Sequence, residues 1–138
     1  MANEKLVEAI KALVVRAKDG DMDGVYLGYR DLFAAPAFVG YRVEDQRQAL
    51  RLMIMVKGPP AVPTPQMVEA HRAAIPPLKR IVELHREPKD HELLGICHVV
   101  AGDEATASAI FKAGLTLERE RNPQSDLCGA LMKRVSML

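Results

Sequence analysis

Four residues within one short span carry the side chains that most often do chemistry: His85, His91, Cys97 and His98. Imidazoles and thiolates are the usual zinc ligands, and a thiol beside an imidazole is a nucleophile with its base. His91-Glu92-Leu93-Leu94-Gly95 opens like the zinc-protease pattern HExxH, but Gly95 stands where the second ligand belongs. On a helix, His91 and His98 share a face about 10 Å apart, and Cys97 points about 100° away from His98. Zinc ligands must converge to within about 2.3 Å of one ion, so this spacing favours packed rings over a metal site. Nothing adjacent to Cys97 or Cys128 activates a thiol. A small metal- or thiol-dependent enzyme using the four residues is the alternative reading; the primary reading assigns no catalytic residue, metal or cofactor.

The remaining polar patterns have structural explanations. Glu118 and Glu120 lie among arginines, and Asp21 and Asp23 stand at a helix start, where pairing and capping account for them. Gly20–Gly24, GDMDG, is too short for a calcium loop and lacks its distal Glu. No glycine-rich phosphate loop is present.

The elements that would position these residues are helical. Hydrophobic residues make up 49% of the chain and aromatics only 4%, with no Trp and seven Met, a core composition suited to close helix packing. A formal charge of +1 gives no excess positive potential to attract nucleic acid or anionic lipid. No apolar run approaches a membrane span, Glu8 and Lys11 interrupt any signal-peptide core, and two cysteines make no disulfide framework; a cytoplasmic location is expected. One domain is expected over residues 1–138.

Leu6, Ile10, Leu13, Val14 and Ala17 recur at helical spacing, with Asn3 as the expected N-cap and Gly20 as the stop near Lys18. Asp21 or Asp23 caps a second helix that Pro36 terminates. A third is expected over 44–56. Its second half, Ala49–Val56, is apolar on nearly every face; a strand is the rival there. Thr64 and Pro65 open a fourth helix that Pro76-Pro77 should kink or restart, continuing through Leu78, Ile81 and His85. Two helices joined at Gly102-Asp103 fill 91–123, and Ser125 or Asp126 caps a last helix with Leu127, Leu131 and Val135.

Within His91–Pro123, Leu94-Gly95, Ala107, Phe111, Gly114 and Pro123 stand where the tetratricopeptide signature has Leu-Gly, Ala-x3-Phe, a small residue and a closing Pro. His91 and His98 stand in its Trp and Tyr positions. The segment resembles one tetratricopeptide-like hairpin. The resemblance implies an all-α, right-handed stack of helical hairpins, an α-solenoid of about seven helices with a C-terminal capping helix. It also implies a non-catalytic protein-interaction module that binds a partner on its concave face. By that resemblance Lys89, Glu92, Ile96 and Val99 face the groove from this hairpin, and Val7, Ile10 and Val14 from the first; Met53 and Met55 add to an apolar surface. The expected partner is an apolar or amphipathic peptide segment, or a second copy of the chain as a homodimer.

Overall fold

The computed structural model describes residues 2–138, with side chains from residue 4 onward; the expected Asn3 cap lies outside the described side chains. All regular structure among these residues is helical, and the strand rival over Ala49–Val56 falls away. The helices are α1 (Ala2–Lys18), α2 (Met22–Ala34), α3 (Val43–Ile54), α4 (Pro65–His85), α5 (Pro88–Val100), α6 (Glu104–Arg121) and α7 (Asp126–Ser136), with a 3-10 turn at Phe38–Gly40. Within the single domain expected over 1–138, contacts define two compact units, one ending at Ala74 and the other running Ile75–Leu138.

Helix starts follow side-chain chemistry. The first backbone N–H groups of a helix have no intrahelical acceptor, and short polar side chains supply one. Asp21 accepts from Gly24 N at 3.0 Å, Thr64 from Met67 N at 3.2 Å, Asp103 from Thr106 N at 3.2 Å and Ser125 from Cys128 N at 3.3 Å. Gly20 and Gly102 take the left-handed conformation (φ 85° and 88°) that reverses the chain after α1 and α5.

The first unit gathers all three tyrosines and two of the three phenylalanines. Tyr29 stacks on Phe33 at 5.6 Å, Phe33 meets Phe38 edge-on at 5.1 Å, and Phe38 meets Tyr41 at 6.1 Å. The 34–41 connector is therefore anchored, with Phe38 fully buried at its centre. Gln46 fixes it further: its Nε2 donates to Tyr41 O at 2.7 Å and to Val39 O at 3.3 Å. Ala49, Leu50, Met53 and Ile54 turn α3 inward, while Leu52 and Met55 stay exposed. The all-round burial expected for that run applies to only part of it, and α3 ends at Ile54, two residues before the expected Val56.

The restart weighed at Pro76-Pro77 does not occur. Helix α4 continues through both prolines from Pro65 to His85 without a restart. Two consecutive prolines delete two main-chain donors, yet the helical bonds before and after them suffice to carry the helix on.

The second unit is a hairpin, α5 and α6, with α7 packed against it. Its core joins Ala107, Phe111, Leu115, Cys128 and Leu131, with Ile96, Leu127 and Val135 against them. The hairpin closes tightly because two glycines face bulky partners: a β-carbon on Gly95 would overlap the Phe111 ring, and one on Gly114 would come 2.7 Å from His91 Cβ.

Candidate functional site

The expected groove residues divide between the units. In the first unit, α1 carries two apolar rows. Leu6 and Leu13 face inward and are buried. Val7, Ile10 and Val14 form the next row, with Val7 45% and Val14 42% exposed and Ile10 half-buried. Seven residues are nearly two helical turns, so Val7 and Val14 lie one above the other.

This second row borders two adjoining recesses. The larger, about 320 Å³, lies among α1, α2 and α3; Val14, Val25, Tyr26, Leu52 and Met53 line it, and Lys18 stands among its bordering residues. The smaller, about 190 Å³, is lined by Val7, Ile10, Lys11, Asp45, Gln48 and Leu52. Leu52 borders both and is 46% exposed. Four of the five expected residues of this unit therefore meet at one apolar surface: Val14 at its rim, Met53 in its floor, Val7 and Ile10 alongside. Met55 is exposed but lines neither recess.

Two polar atoms stand out against this apolar setting. The Tyr26 hydroxyl is buried without a hydrogen-bond partner, and burial raises its pKa. Asp45 Oδ2 is likewise buried and unpartnered beside the smaller recess. Neither was singled out from sequence.

In the second unit, Ile96 and Val99 line a recess of about 190 Å³ with Phe111, Arg134, Met137 and Leu138. Lys89 is exposed and lies outside it. Glu92 is not a free groove residue: its carboxylate is mostly buried and receives Arg134 Nε at 2.7 Å, clamping α5 to α7.

The four residues of the alternative chemistry have separate partners and surroundings. His85 is exposed. His91 is buried, and its Nδ1–H donates to Glu87 O at 2.8 Å; a carbonyl only accepts, which fixes the tautomer. His98 Nδ1 lies 3.9 Å from Asp103 Oδ2. Cys97 is fully buried, and desolvation pushes its thiol far above the ordinary range, so it stays protonated. Among the described residues no group of three His, Cys, Asp or Glu side chains is placed to hold a metal ion. No helix among them is long and apolar enough to cross a membrane.

Comparison with protein-family models, with curated proteins and with solved structures finds no match to this chain.

Proposed function

We propose that this chain is a non-catalytic protein-interaction module. It docks the apolar face of an amphipathic helix on the Val7–Ile10–Val14 row of α1 and the adjoining α3 surface. The observation that carries the reading is the continuity of that surface. Val7, Val14 and Leu52 are each more than 40% exposed; Leu52 borders both recesses, Val14 and Met53 line the larger and Val7 the smaller. Three aliphatic side chains on neighbouring helices leave in water apolar area that a docked helix would cover; being a little under half exposed, each would gain roughly half of the ~1.5–3 kcal/mol that full burial is worth. Met53 adds an adaptable, unbranched side chain to the floor. The resemblance of His91–Pro123 to a tetratricopeptide-like hairpin points the same way, since such hairpins characteristically serve as binding surfaces.

The test is a methyl-resolved NMR titration with a designed 15-residue peptide of Leu, Glu and Lys, neutral overall, with Leu on one helical face. Binding shifts the methyls of Val7, Val14, Leu52 and Met53 and leaves those of Val62, exposed in the 58–64 loop, unmoved. Shifts scattered over the surface, or none at millimolar peptide, reject the docking surface.

A further inference from the structure

The charges beside the apolar row of α1 identify the helix that fits it. Glu4, Lys11 and Lys18 are seven residues apart, so they form their own row along the helix, adjacent to Val7 and Val14 at spacings of three and four. Glu8 flanks the same edge in the first half. All four side chains are exposed, and none has an ion-pair partner among the described residues. The edge of the apolar row is thus acidic toward the N-terminus and basic toward the C-terminus.

Such a pattern is complementary to itself when reversed. A two-fold axis at Lys11 places Glu4 opposite Lys18 of a second copy and brings Val7 within one residue of its Val14; the two Lys11 side chains meet at the axis, with Glu8 of each chain one turn away. The apolar row and the charge order favour one arrangement: antiparallel pairing opposes Glu4 to Lys18 twice and leaves only Lys11 against Lys11, whereas a parallel pairing would oppose like charges along its whole length. Resting on the docking surface proposed above, we infer that its occupant is α1 of a second copy, and that the chain forms an isologous homodimer through antiparallel α1 helices.

Sedimentation of the full chain over a micromolar-to-millimolar range tests this. The wild type should pass from monomer to dimer. Val14→Glu should remain monomeric while keeping its helical circular dichroism, since Val14 is 42% exposed. Glu4→Lys should raise the dimer dissociation constant roughly tenfold, because it turns two equivalent attractions into repulsions. Glu4→Lys combined with Lys18→Glu restores opposite charges across the axis and should return the constant to near the wild-type value. A wild type that stays monomeric overturns the inference. So does a double reversal as weak as the single one, or a dimer indifferent to Val14→Glu. If the chain stays monomeric yet the designed peptide still binds, self-pairing falls and the docking reading stands; if neither occurs, both fall.

Discussion

Phe111 lies so closely over Gly95 that a β-carbon at that glycine would overlap its ring, and the contact joins α5 to α6. Phe111 is 1% exposed, so the ring has little room to retreat. On the opposite run of the hairpin, Gly114 faces His91 Cβ, an atom close to its backbone and less free to shift. Alanine is the better helix former by about 1 kcal/mol, but overpacking a closed core costs about 1–3 kcal/mol, so packing should win at both glycines. Gly95→Ala and Gly114→Ala should each lower the urea midpoint. Gly129 in α7 has nothing within 4 Å of its would-be β-carbon, so Gly129→Ala should raise the midpoint by about 0.5–1 kcal/mol equivalent. Stabilisation by all three would contradict the hairpin packing.

The Glu92–Arg134 pair makes a second prediction. The Glu92 side chain is 11% exposed and Arg134 33%, with Nε to Oε2 at 2.7 Å. Arg134→Met keeps the aliphatic stem but leaves the Glu92 carboxylate buried without its donor, at a cost of about 1–3 kcal/mol. Adding Glu92→Gln to that variant removes the orphaned charge and should recover part of the loss. Equal stabilities across the double-mutant cycle would show that the clamp contributes nothing.

His71 sets an acid limit on the first unit. It is 1% exposed, its Nδ1–H donates to Met67 O at 2.8 Å, and burial lowers its pKa below the ordinary 6.5. The unfolded chain therefore takes up the proton first as pH falls. This contribution is intact above about pH 6.5 and shrinks as the pH drops from there toward the lowered folded value. The urea midpoint should fall between pH 7.5 and 5.5, and His71→Gln should flatten that slope. An unchanged slope would assign the acid sensitivity elsewhere.

Pro76 is exposed inside α4 and supplies no donor to the carbonyl of Arg72. An interior proline costs about 3 kcal/mol against alanine, and its stiffening of the unfolded chain returns only about 0.4–1 kcal/mol. Pro76→Ala should therefore stabilise the protein by about 2 kcal/mol, read as a higher urea midpoint. Pro77 is buried, so the same change there also removes packing and should gain less. A loss of stability at Pro76 would mean that the proline shapes α4 in a way alanine does not.

Much of the helical layout was legible because it is local. Asp21, Thr64, Asp103 and Ser125 announce helix starts by their side chains, and Gly20 and Gly102 announce turns by their backbone freedom. The 3-10 turn at Phe38–Gly40 was not legible, since Gln46 and the Phe33–Phe38 ring contact hold it from outside its own segment. Helix α4 crosses Pro76-Pro77 because a long helix keeps enough bonds around two missing donors, which a residue-by-residue rule does not weigh. The site was half legible. The Val7, Ile10 and Val14 set comes from the tetratricopeptide resemblance, and the structure puts the three on one partly exposed row of α1. Glu92 was misplaced because its partner, Arg134, lies 42 residues away, and no local pattern links them. The unpartnered Asp45 oxygen depends on the packing of α1 beside α3, which sequence spacing does not encode.

The most direct test of the docking surface compares one substitution at two exposed valines. Val14 borders the apolar recess, and Val62, 78% exposed, lies in the loop before α4. Fluorescence anisotropy of the labelled amphipathic peptide should show wild type and Val62→Glu binding alike. Val14→Glu should weaken binding by at least tenfold, because a charge would have to be desolvated against the apolar face of the peptide. Equal affinity for all three proteins would contradict the account.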